Sequence, residues 1–79
     1  MTTLKQRLDQ LNERIQTACA SSNRALSEVL LIGVSKYQPG QSVAQAHELG
    51  LTDFGENYLQ EAAEKIQSLG DKPLTWHFI

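Results

Sequence analysis

Val29-Leu30-Leu31-Ile32-Gly33-Val34-Ser35-Lys36 decides how the rest of the sequence is read. Six nearly unbroken apolar residues suit a strand covered on both faces, as in a parallel sheet, better than a half-exposed antiparallel strand. The run stops at Ser35-Lys36, and this strand is expected over about 29–35. Downstream, Pro39 fits a first helical position, and Val43, Ala46 and Leu49 give the next segment an apolar stripe before Gly50 closes it as a C′ residue. A helix over about 39–49 follows, then a short strand over about 51–54, with Gly55 as a turn. Leu59, Ala62, Ala63, Ile66 and Leu69 mark a helix over about 56–69, stopped at Gly70. After Pro73, Leu74-Thr75-Trp76-His77-Phe78-Ile79 is rich in aromatic and β-branched residues and reads as a strand over about 74–79.

Upstream, Thr3-Leu4-Lys5-Gln6 matches a capping box, and Leu4, Leu8, Leu11, Ile15 and Ala18 give an amphipathic helix over about 3–20. Ser21, Ser22 and Asn23 mark its end, with room for a further turn over Arg24 to Leu26. The order helix, strand, helix, strand, helix, strand implies an α/β fold with βαβ crossovers and parallel strands, the leading helix lying outside the repeat. Strands of buried type at both edges leave ladder groups unpaired. The 79 residues are therefore expected to be the opening portion of a larger α/β protein, and on their own to self-associate or to pair with a complementary chain.

The composition narrows the function classes. At 41% hydrophobic and 20% charged the chain is ordinary for a soluble protein, below the usual domain size of about 100–150 residues. Seven Lys and Arg against nine Asp and Glu give a net charge of −2, with no basic footprint for a phosphate backbone, so no nucleic-acid partner is expected. Charges thread the amino-terminal apolar residues, unlike a secretory signal, and no run reaches the roughly 18 apolar residues of a membrane span. A cytoplasmic protein with no membrane partner is expected. The single cysteine, Cys19, fits a reducing compartment.

Three places carry side chains suited to chemistry. Lys36 stands where the first strand gives way to a loop, and sites on α/β sheets lie at the carboxyl ends of strands. A lysine there, held partly out of water, reaches more easily the neutral amine that attacks an aldehyde. Taken alone, a lysine at a strand end is more often a solvated charge. Alternation puts Leu30, Ile32 and Val34 on the face of Lys36, and Gly33 on the other, where it would admit a close-packed helix. The second place is Gly55-Glu56-Asn57-Tyr58, a strand-to-helix turn able to hold an anionic or polar ligand. The plainer reading is that Asn57 caps the helix and Glu56 complements its dipole. The third is His77 within Trp76-His77-Phe78-Ile79, which could position a cofactor but is more often a hydrogen-bonded core residue. His47 reads as a surface residue, and two histidines with one cysteine show no zinc spacing.

Taken together, Leu31-Ile32-Gly33-Val34-Ser35-Lys36, Phe54-Gly55-Glu56-Asn57-Tyr58-Leu59-Gln60-Glu61 and Trp76-His77-Phe78-Ile79 resemble the pyridoxal-phosphate homeostasis protein family, itself similar to the amino-terminal barrel domain of alanine racemase. The resemblance implies a fold-type III (β/α)8 barrel, of which these residues cover the leading helix and three strands. It implies pyridoxal 5′-phosphate as cofactor, joined to Lys36 as an internal aldimine, with Asn57 of the Gly-Glu-Asn motif near it. It implies a carrier role in pyridoxal-phosphate homeostasis without established catalysis. The alternatives are a racemase or decarboxylase of the same barrel type, which needs an acid or base opposite the lysine, and a cofactor-free interaction module.

Overall fold

In the computed structural model, which describes residues 3–79, Thr3 opens the first helix through a reciprocal pair of bonds. Its hydroxyl accepts the Gln6 N–H at 3.1 Å, and its own N–H donates to Gln6 Oε1 at 2.9 Å, satisfying two donors that a helix start otherwise leaves bare. The helix, α1, spans Leu4–Ser21. Its stop is a Schellman motif: Asn23 adopts φ 56°, Arg24 N–H donates to Cys19 O at 2.9 Å and Asn23 N–H to Ala20 O at 3.4 Å. The extra turn expected at Arg24 to Leu26 forms slightly later as a 3₁₀ turn, Leu26–Glu28. The inward stripe of α1 ends on buried Cys19 rather than on Ala18, which is exposed, because Cys19 continues the four-residue step from Ile15. The residues up to Leu30 make one compact unit, and Leu31–Ile79 make a second.

The second unit holds three strands and two helices: β1 Gly33–Val34, α2 Gly40–Glu48, β2 Asp53–Glu56, α3 Leu59–Ser68 and β3 Thr75–Phe78. The strands form one parallel sheet in the order β1-β2-β3, as alternating strand and helix segments require. Register pairs Gly33 with Phe54 and Phe54 with Trp76, so these three share a face. That face carries the core: Phe54 with Val43, Ala46 and Leu69, flanked by Leu51, Leu74 and Trp76. The Phe54 and Trp76 rings sit 5.9 Å apart at a 41° tilt.

Several boundaries differ from the sequence expectation, each for a local reason. The first strand contracts to Gly33–Val34 because β2, its partner, begins only at Asp53, and Val29 and Leu30 are left exposed. Gly55 and Glu56 belong to β2 rather than to a turn, because the central strand is paired on both sides: Ser35 N–H donates to Gly55 O at 3.0 Å and Ile79 N–H to Glu56 O at 2.9 Å. Pro39 precedes α2 as its cap instead of entering it. Gly50 does close α2, at φ 104°, in a second Schellman motif: its N–H donates to His47 O at 2.9 Å and the Leu51 N–H to Ala46 O at 3.1 Å. The space beside Gly33 is taken by the Leu51 side chain, since a Cβ there would lie 2.7 Å from Leu51 Cδ2, and next by the Phe54 ring.

The inward stripe of α3 also shifts. Ala62, Lys65 and Leu69 are buried, whereas Leu59 and Ile66 are exposed and line a cleft of about 260 Å³ beside β3. The apolar arc of the helix is wider than the strands can cover. A lysine consequently sits in the buried row.

Candidate functional site

The carboxyl ends of β1 and β2 lie side by side, because parallel neighbours in register end at one edge of a sheet. From β1 emerge Ser35, Lys36 and Tyr37, and from β2 emerge Asn57 and Tyr58 after Glu56. The β1 exit is a tight turn, in which Gln38 N–H donates to Ser35 O at 3.0 Å and Tyr37 takes φ 64°. A left-handed φ costs a residue with a Cβ about 1–2 kcal/mol, so surrounding contacts must hold it.

Those contacts come from α3 and from β2. Tyr37 N–H donates to Glu61 Oε2 at 2.8 Å, and the Tyr37 and Tyr58 hydroxyls share a hydrogen bond with their rings 5.0 Å apart. Below the turn, the Ser35 hydroxyl donates to Glu56 Oε2. The Lys65 ammonium donates to Ser35 O, to Glu56 Oε2 at 2.9 Å and to Glu61 Oε2 at 3.0 Å, which uses all three of its protons. Lys65 rises from α3 with its side chain directed back toward the helix start, as helical side chains do, and so reaches the sheet edge. Burial pulls the Lys65 pKa down, but the hydrogen bonds and charges of Glu56 and Glu61 outweigh it and hold the amine above its ordinary value. That ammonium is locked in its protonated form. Tyr37 is pushed above the ordinary phenol value, chiefly by its bond to Tyr58, then by desolvation and by the neighbouring charges.

Lys36 is exposed at the top of this arrangement, and none of the hydrogen bonds or ion pairs among the described residues engages its amine. Asn57 is half-buried at the same edge. It does not cap α3, whose cap position is Tyr58 without a side-chain bond, and its Oδ1 is buried with no partner. Glu56 does not serve the helix dipole from a first turn either; it is 1% exposed at the end of β2, with Oε1 unpartnered. His77 lies on the opposite sheet face from Phe54 and meets Asp53 Oδ2 at 2.8 Å. That bond, with a second from Thr52 and the histidine's charge, lowers the Asp53 pKa against the upward pull of burial. His47 is half-buried rather than at the surface, its Nδ1–H donating to Leu51 O at 3.3 Å. Sequence reasoning brought Lys36 and Asn57 to one edge; it missed Ser35, Glu61 and Lys65, although Glu61 four residues before Lys65 was a visible pairing signal.

No family model matches the chain. Among curated relatives, a pyridoxal phosphate homeostasis protein of Pseudomonas aeruginosa is 46% identical over 79 residues, covering 100% of this chain and 34% of the relative. One of Pasteurella multocida is 47% identical, covering 98% of the chain and 34% of the relative. The chain is similar to these pyridoxal phosphate homeostasis proteins along its whole length. It spans about a third of their length. Among solved structures, PipY of Synechococcus elongatus PCC7942, with PLP bound, superposes with a TM-score of 0.65 at 35% identity, covering 82% of this chain and 31% of PipY. The helix and three parallel strands match the amino-terminal part of the PipY barrel, so the expected α/β class is borne out. Among the described residues no helix is long and apolar enough to cross a membrane.

Proposed function

We propose that this chain takes part in pyridoxal 5′-phosphate binding and homeostasis, with Lys36 as the residue that attaches the cofactor and Asn57 beside it. Pyridoxal phosphate supplies an electrophilic aldehyde, with which a neutral primary amine condenses, releasing one water. The single observation that carries the assignment is the state of the lysines. Lys5 is paired with Asp9 at 2.8 Å, Lys65 is clamped by two carboxylates, and Lys72 enters β3 from the amino end of the sheet. Lys36 alone combines an unengaged amine with a place at the carboxyl edge, where ligands of α/β sheets bind. The residues present fit the group: an accessible amine, two tyrosine rings, and an Asn57 Oδ1 that lacks a donor.

The names of the relatives and the PLP in PipY support the same reading. The chain is further proposed to be cytoplasmic, to bind neither nucleic acid nor membrane, and to associate with itself or with a complementary chain through its open strand edges. Support for association comes from Phe78 at 70% and Leu59 at 76% exposed around the cleft beside β3. The test of attachment is to incubate the chain with pyridoxal 5′-phosphate, reduce with borohydride and map the adduct by peptide mass. Adduct concentrated on Lys36 is expected; an even spread over Lys5, Lys36 and Lys72 would overturn the assignment.

A further inference from the structure

We infer that Glu56, Glu61 and Lys65 form a positioning cluster that fixes the turn carrying Lys36; the inference rests on reading Lys36 as the attachment residue. Both chain neighbours of Lys36 are gripped by side chains of β2 and α3. On one side, Ser35 is held through its hydroxyl by Glu56 and through its carbonyl by Lys65. On the other, Tyr37 is held through its N–H by Glu61, at 2.8 Å. Lys65 joins the two grips, since its ammonium bonds both carboxylates. The three side chains thus tie the end of β1 to β2 and α3 where Lys36 emerges.

Stability alone does not account for this design. Bringing Lys65 and Glu56 out of water is costly, and packed apolar residues of similar volume often serve a core as well or better. An apolar pair, however, offers nothing to the Ser35 carbonyl, whose other partner is the Gln38 N–H, and no anchor for the Glu61 carboxylate that accepts the Tyr37 N–H; the ladder uses neither of these two backbone groups. The cluster satisfies them, and it sustains the φ of 64° at Tyr37 that sends the chain away from the sheet just after Lys36. A lysine has four flexible side-chain bonds, so the direction and origin of its backbone set where its amine dwells. Holding that origin raises the local concentration of the amine at a ligand seated over the sheet edge. Lys65, Glu56 and Glu61 touch no ligand in this account and act only through residues 35–37.

The test uses the full 79-residue chain and two independent readouts. One is amide hydrogen exchange at Tyr37 and Gln38, referenced to Phe54 and Trp76 in the sheet. The other is the rate of borohydride-trapped labelling of Lys36 by pyridoxal 5′-phosphate in short pulses, relative to Lys5. The Glu56→Gln/Lys65→Met double variant removes both members of the most buried ion pair together; Glu61→Ala, at a half-buried position, is a second variant. Glu61→Ala, which removes the acceptor of the Tyr37 N–H, is expected to raise exchange at Tyr37 about tenfold, the scale of one lost charge-assisted hydrogen bond; the double variant, which frees the Ser35 hydroxyl and carbonyl instead, is expected to raise exchange at Gln38, with Phe54 and Trp76 unchanged in both. Labelling of Lys36 is expected to fall severalfold, and Lys65→Arg to restore most of both readouts. Wild-type exchange at Tyr37 and Gln38 in a folded variant would overturn the inference, as would raised exchange with an unchanged Lys36 labelling rate. If the wild-type chain shows no preference for Lys36 over Lys5, attachment at Lys36 fails, while the exchange comparison still decides whether the cluster holds the turn.

Discussion

Lys65 and Glu56, nine residues apart in the chain, meet at 2.9 Å with side chains only 7% and 2% exposed. A fully formed ion pair at the exit of a sheet is an expensive arrangement that becomes sensitive to the loss of either member. Removing only the cation, as in Lys65→Met, leaves Glu56 buried without a counter-charge and should cost about 3–5 kcal/mol. A domain of this size holds only about 5 kcal/mol in total. The variant is therefore expected to be largely unfolded in urea titrations begun near neutral pH, whereas Glu56→Gln/Lys65→Met should retain a cooperative transition.

The Asp53–His77 pair predicts an acid-side loss of stability. Because the folded pKa of Asp53 lies below the ordinary carboxylate value, the folded state binds that proton less tightly than the unfolded chain. Its contribution is fully present above the unfolded value of about 3.9 and disappears as pH falls through the lower folded value. Thermal melts of wild type and Asp53→Asn should differ near pH 6 and converge under strong acid.

Tyr37 and Tyr58 are the chain's two tyrosines, which makes their coupling readable by phenolate absorbance. With its folded pKa raised, Tyr37 adds stability that is fully present below about pH 10 and is lost as pH rises through the folded value. In Tyr58→Phe the remaining phenol, Tyr37, loses the largest cause of its shift. Its titration should move down toward the ordinary value, and an unmoved midpoint would show that the hydroxyl contact is not made in solution.

The core makes a simpler prediction. Phe54 is 2% exposed at the centre of the three-stranded sheet, against Val43, Ala46 and Leu69. Phe54→Ala should cost about 3–5 kcal/mol, read as loss of the cooperative thermal transition.

Much of this fold was legible because its signals are local. The Thr3–Gln6 capping box, the Gly50 stop and the apolar run ending at Val34 each involve residues a few positions apart, and each lies where the periodicity puts it. The extent of β2 was not legible, because it depends on pairing with two other strands rather than on Gly55 itself. The inward row of α3 was misread for a related reason: Leu59 and Ile66 are apolar, yet the sheet turns toward Ala62, Lys65 and Leu69. Lys36 and Asn57 could be singled out from their places at strand ends. The contacts of Ser35 with Glu56 and Lys65 span 21 and 30 residues, and no periodicity records a pairing at that separation.

The central claim is that the Lys36 amine is where the cofactor aldehyde is held. Its most direct test is to titrate pyridoxal 5′-phosphate into wild type and Lys36→Ala, following the visible absorbance that arises when an amine condenses with the aldehyde. Loss of that band in Lys36→Ala, with circular dichroism matching wild type, is the predicted result. An equal band in the two proteins would contradict it.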